Sequence, residues 1–94
     1  FTRIIELIIK DKYEDRAERM AAKLSRELER ISPVTGPYSP VVDKIADNHI
    51  RTIRISLRKD RYLHENKEAV RKAVTAFEKN NRYDGHIIMN VDPS

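Results

Sequence analysis

The chain has no cysteine. That excludes a disulfide framework and a thiolate metal site. With nothing pointing to an oxidising compartment, a cytoplasmic setting is the expectation. Long hydrophobic runs are missing as well. The most apolar stretch, "IIELIIK", is broken by Glu6, and none approaches the ~20 residues that span a bilayer, so no membrane partner is expected. The opening residues do not read as a signal peptide. Glycine is scarce: Gly36 and Gly85 stand alone, so no glycine loop is available to cradle a phosphate.

Catalytic chemistry is equally thin. Ser25, Ser32, Ser39 and Ser56 lie in no nucleophile motif. His49, His64 and His86 read as a turn, a loop and a strand start. They lack the spacing and flanking carboxylates of a metal site. The expectation is no catalytic residue, no metal and no cofactor within the chain.

What is present is periodicity. Ninety-four residues make one domain, 1–94. Thr2 to Lys10 is isoleucine-rich with both faces apolar, which predicts a central strand. Asp11 stands where it can cap the next element. Tyr13, Ala17, Met20, Ala21, Leu24, Leu28 and Ile31 recur at steps of three and four, which predicts a helix over 13–31 that Pro33 stops. The stretch "SPVTGPYSPVV" reads as an extended loop, 41–46 as a second strand, and Asp47-Asn48 as a hairpin turn. In 50–58, Ile53, Ile55 and Leu57 alternate with Arg54, Ser56 and Arg58, a strand with one buried and one wet, basic face. A second helix over 66–80 carries Ala69, Val70, Ala73, Val74 and Phe77, and ends at Asn80-Asn81 and Gly85. A last strand covers 86–91, closed by Asp92-Pro93. The order β-α-β-β-α-β predicts an α+β domain: a four-stranded sheet with two helices on one face, in the ferredoxin-like manner.

The charges are unevenly placed. "HIRTIRISLRKDR" carries Arg51, Arg54, Arg58, Lys59 and Arg61 against Asp60 alone, a net +4. The whole chain has 19 Lys+Arg and 15 Asp+Glu, also net +4, so the rest holds 14 of each. Crowded cations predict an anionic partner, either a phosphate backbone or an acidic tail. Arginine suits a carboxylate because its fork binds two oxygens. The plainer alternative is a sheet face or edge blunted by charge against aggregation. Arg16, Arg19, Lys23, Arg26 and Arg30 form a second stripe on the first helix. They read either as intrahelical pairs of the Asp15–Arg19 kind or as secondary DNA contacts. Glu14, Glu18 and Glu29 fall on the opposite, solvated flank. Tyr38 and Tyr62 are candidates for base stacking, or are simply packed.

Taken in order, "FTRIIELIIK", "VTGPYSPVVDKIADNHIRTIRISLRK" and "IIMNVDPS" resemble the C-terminal domain of primosomal protein N′, the bacterial replication-restart DNA helicase. Gly36-Pro37, the strand Arg51 to Lys59 and the end Asn90-Val91-Asp92-Pro93 stand at the family's motif positions, with Asn90 where an acid is commoner. The resemblance spans nearly the whole chain; each motif is short, and specificity comes from their order. It implies a fold like that of the small ribosomal protein S10, and a fragment of a larger helicase, in keeping with a first residue Phe1 that opens directly into a strand. It implies binding of branched or forked DNA and of single-stranded/duplex junctions. It also implies docking of the acidic C-terminal tail of single-stranded DNA-binding protein, and contact with the helicase core of the same parent chain. Either Arg51 or Arg54 matches the family's tail-docking arginine. The parent's ATP and magnesium site and its zinc-binding cysteines lie outside this stretch. Two other classes stay open: a packing module whose basic strand is buried against acidic residues of the parent, and an RNA-binding module of the S10 kind.

Overall fold

A computed structural model describes residues 2–39, 44–45, 47–83 and 85–91. The elements run β1 (Thr2–Asp11), α1 (Glu14–Leu28), β2 (Val34–Tyr38), β3 (Lys44–Ile45), β4 (Asn48–Arg58), α2 (Leu63–Asn80) and β5 (His86–Val91). The strands form one sheet in the order β2-β4-β1-β5, with β3 also paired to β4. Every pairing is antiparallel. Since β2 and β3 both line the outer edge of β4, the sheet is four strands wide. This is the ferredoxin-like α+β arrangement.

Period-two alternation builds the core. Ile5, Leu7 and Ile9 of β1 and Ile53, Ile55 and Leu57 of β4 are wholly buried on one face. The helices cover that face with Ala21, Leu24 and Leu28 of α1 and Val70, Val74 and Phe77 of α2. Each aliphatic side chain buried this way contributes about 1.5–3 kcal/mol. β1 lies between β4 and β5, and Ile4 and Ile8 of its other face are half-buried.

The sequence expectation differs from the fold at four places. Val34–Tyr38 is a strand rather than a loop: Val34 pairs with Ile55 and Tyr38 with Thr52. The register shift falls between Thr35 and Tyr38, where Gly36 has φ 103°. A Cβ there would stand 2.8 Å from the Thr52 carbonyl oxygen, so glycine is what lets the bulge sit against β4. Of the expected second strand, residues 41–43 and 46 lie outside the described residues. The tight turn precedes Asn48, which already pairs with Ile45, and Asp47 takes the positive φ, 65°.

α2 begins at Leu63, three residues before the expected 66, because the Asp60 side chain accepts the Tyr62 N–H at 2.8 Å and its carbonyl accepts the Leu63 N–H. At its other end the Tyr83 N–H reaches the Glu78 carbonyl at 2.9 Å and the Arg82 N–H reaches Lys79 at 3.3 Å. These two bonds define a Schellman closure. Its left-handed residue is Arg82, φ 48°, rather than an asparagine or glycine. Gly85 serves elsewhere, leaving room for the Tyr83 ring, whose hydroxyl would lie 2.3 Å from an added Cβ.

Candidate functional site

Strand geometry divides the basic run. Arg51 falls in phase with Ile53 and Ile55, so it enters the helix-covered face and is only 4% exposed. Its Nε donates to Glu18, its Nη2 lies 3.6 Å from Glu14, and its Nη1 donates to the Ile50 carbonyl at 2.8 Å. Glu14 also stands 3.8 Å from His49 Nδ1. Glu14 and Glu18 are thus more than a solvated flank: they fasten α1 to β4 through Arg51. Arg51 is spent on this contact and stands apart from the other four cations of its run.

Arg54 points to the open face, where its Nε lies 3.1 Å from Glu6 Oε2 across the β1–β4 ladder. Arg58, Lys59 and Arg61 are exposed where β4 leaves the sheet. The side chains of Arg58 and Lys59 have no hydrogen-bonded or ionic partner among the described residues. Arg61 donates to the Tyr62 hydroxyl at 2.8 Å, and its guanidinium lies 4.9 Å from that ring's centre. The open face is less wet than expected. Besides Arg54 and Arg58, alternation puts Ile4, Ile8 and Ile88 on it, with Ile88 39% exposed.

The helix stripe is heterogeneous. Lys23 donates to Asn81 at 2.7 Å, and Arg30 lies 3.7 Å from Glu27. Arg19 and Arg26 are exposed, and no ion pair joins Arg19 to Asp15 among the described residues. Arg16 folds back onto Asp11, with Nε 2.7 Å from Oδ2.

Among the described residues, Asp11 is the one buried acid, and its partners tie three elements together. Its Oδ1 accepts the Tyr13 N–H at 2.9 Å, at the entry to α1. Its Oδ2 accepts Arg16 Nε at 2.7 Å and the Tyr83 hydroxyl at 2.7 Å. Burial pushes the carboxyl pKa up. The hydrogen bonds from Arg16, the Tyr13 amide and Tyr83, with the Arg16 charge, outweigh that and hold it below its ordinary 3.8. The expected cap is not made: Tyr13 is the residue that precedes α1, no side chain caps the helix there, and Asp11 instead closes a turn on the Tyr13 N–H.

Around Asp11 lies an open cleft of ≈480 Å³, also lined by Lys10, Lys12, Tyr13, Arg16, Asn48 and His86. Register puts it at the far end of the sheet from Arg58: Thr2 of β1 faces Arg58, whereas Lys10 faces Ile50. At ~3.3 Å per residue the two ends are roughly 25–30 Å apart. Sequence reasoning missed this cleft. Lys10 and Lys12 flank Asp11 visibly, but His86 joins them only through β1–β5 pairing. His49, His64 and His86 sit on β4, α2 and β5, and no group of three metal-binding side chains occurs among the described residues.

No family model and no curated protein matches this chain. Among solved structures that share its architecture are two of different origin. The de novo designed protein Foldit4 superposes with a TM-score of 0.63 at 14% identity, covering 100% of this chain and 99% of the design. A hydantoinase/carbamoylase family amidase from Burkholderia ambifaria gives 0.63 at 14% identity, covering 96% of this chain and 27% of the amidase. The chain thus spans about a quarter of that enzyme's length. At such identity the likeness is one of fold alone. Among the described residues no helix is long and apolar enough to cross a membrane.

Proposed function

We propose that this chain is a non-catalytic binding domain of the primosomal protein N′ kind, contacting DNA phosphates and an acidic protein tail beside a helicase core in the cytoplasm. The observation that carries the reading is the exposed group Arg58, Lys59 and Arg61 beside Tyr62, half exposed at 47%. These cations retain the run's charge after Glu18 and Glu6 have taken Arg51 and Arg54. The order of the family's motifs along the chain and the β-α-β-β-α-β architecture support the same reading.

In this reading Arg58 and Lys59 neutralise adjacent phosphates and release their counterions. Arg61 stiffens the Tyr62 ring, which offers a face to an unpaired base. Arg54 contributes when a stronger anion displaces Glu6. An acidic tail would use the same group, with a carboxylate in the arginine fork.

The test is binding of a forked DNA across a salt series, with an acidic-tail peptide titrated in parallel. Replacing Arg54 and Arg58 by alanine should flatten the log–log slope by ~0.7–0.9 for each phosphate that the variant no longer neutralises. An unchanged slope removes these two residues from the DNA site.

A second reading, a packing module for the rest of a parent chain, is favoured by Ile4, Ile8 and Ile88 on the open face. It predicts that neither ligand binds the folded domain.

A further inference from the structure

The cleft at the β1–α1 junction holds more positive charge than its surroundings neutralise. β1–β5 pairing sets Lys10 directly opposite His86, and both belong to the open face. Lys12 follows two residues on, exposed. Lys10, Lys12 and His86 make no ion pair or side-chain hydrogen bond among the described residues. The acid in the lining, Asp11, is 1% exposed, and both its oxygens are engaged by Tyr13, Arg16 and Tyr83. It therefore steadies Arg16 without screening the two lysines from a ligand. A phosphate seated between Lys10 and His86 would meet the lysine charge and an imidazole N–H that can donate to it.

An aromatic ring completes the cleft. Tyr13 is the most exposed large apolar or aromatic side chain among the described residues, at 58%. The Arg16 guanidinium lies 5.3 Å from its ring centre and 5.6 Å from that of Tyr83. A ring steadied by a cation and open to solvent is a stacking platform. Asn48 also lines the cleft. The volume, ≈480 Å³, lies within the roughly 300–1,000 Å³ of small-ligand sites.

We infer that this cleft is a nucleotide-unit site for single-stranded nucleic acid, with one base stacked on Tyr13 and its phosphate held between Lys10, Lys12 and His86. A carboxylate alone satisfies only the lysines, whereas a nucleotide offers them a phosphate and offers the exposed Tyr13 ring a base. The inference shares its class of ligand with the function proposed above and places it at the opposite end of the sheet.

The chain contains no tryptophan, so single replacements report each end separately. Tyr13→Trp and Tyr62→Trp are made in separate proteins and titrated with a short oligothymidylate, following tryptophan fluorescence alongside anisotropy of a labelled strand. A stacked thymine should quench the Tyr13→Trp protein saturably. Adding Lys10→Gln and Lys12→Gln should weaken that quenching about tenfold, because the phosphate then meets two fewer cations. A charge-matched control on α2, Lys67→Gln with Lys72→Gln, should change it less than about twofold. Circular dichroism establishes that each variant is folded.

Binding by anisotropy with quenching at Tyr62→Trp alone would overturn the cleft site and leave the β4-exit reading standing. Quenching at Tyr13→Trp alone would do the reverse. No binding by anisotropy would overturn both. Quenching by an acidic peptide that displaces the oligonucleotide would overturn the nucleotide assignment and make the cleft a tail-docking site.

Discussion

Replacing Asp11 by asparagine tests whether a buried carboxylate organises the β1–α1–β5 corner. The side chain is wholly buried, and three donors converge on it at 2.7 to 2.9 Å. Hydrogen bonds to a charged group contribute about 1.5–3 kcal/mol each. Three do not simply add, because Arg16 is 30% exposed on its side chain and regains water when released. Tyr83 cannot: it is 9% exposed, and its hydroxyl would face an amide that must also satisfy the Tyr13 N–H and Arg16. The expected loss is therefore about 2–4 kcal/mol, the cost of breaking a partly buried pair. For a domain of this size that lowers Tm by roughly 8–30 °C.

The pH dependence supplies the sign. A carboxyl whose folded pKa is depressed adds stability that is fully present above its unfolded value, near 3.8, and is lost as pH falls through the lower folded value. Urea unfolding followed by circular dichroism at pH 7 and along an acid series measures both effects. The unaltered protein should lose part of its stability below about pH 4, and Asp11→Asn should start lower and show a flatter acid limb. A variant within about 0.5 kcal/mol of the parent at pH 7, the scatter of surface substitutions, with the same acid limb would refute the argument.

Arg51→Ala and Arg58→Ala should divide stability from binding. The first should cost about 1–3 kcal/mol in urea unfolding, since it empties a buried site and frees Glu14 and Glu18; it should leave the salt slope of DNA binding unchanged. The second should lie within about 0.5 kcal/mol in stability and should flatten the slope. Gly85→Ala should destabilise by about 2–4 kcal/mol, read as a fall in Tm, because the new Cβ would stand 2.3 Å from the Tyr83 hydroxyl and drive the ring off Asp11. Arg82→Gly should raise stability by about 0.5–1 kcal/mol in the same assay, by removing the strain of a left-handed arginine at φ 48°.

The parts legible beforehand are those governed by a single period. β1, apolar on both faces, is central as expected, and the α1 stripe Ala17, Ala21, Leu24, Leu28 is buried where steps of three and four put it. Long-range pairing is not legible in the same way. Alternation does place Arg51 with the isoleucines, but whether a buried arginine is neutralised depends on Glu18, 33 residues earlier. Asp11 reads as a local cap because its near neighbours, Tyr13 and Arg16 among them, are all that the sequence shows; Tyr83, 72 residues away, makes it a hub. Val34–Tyr38 reads as a loop because Gly36-Pro37 is loop chemistry, whereas here it forms an edge bulge that a proline tolerates. The left-handed residue after α2 is also hidden, since Asn80, Asn81 and Gly85 are all better suited to that conformation than Arg82.

Folding changes the meaning of the basic run. As sequence it is one cluster with net +4. As a strand it spans the sheet, so His49 lies beside Asp11 and Arg58 beside Thr2. Glu14 and Glu18 take Arg51, and Glu6 takes Arg54. What remains is a cationic group at the exit of β4 and, contributed by other strands, a second around Lys10 and Lys12. Between them the open face presents Ile4 and Ile8, half-buried and uncharged. A polyanion engaging both ends must cross roughly 25–30 Å, about eight phosphates at ~3.4 Å each along a duplex strand. A short oligonucleotide or a single acidic tail engages one end only. Its salt slope therefore counts the cations of that end, and only a longer ligand can reach the sum.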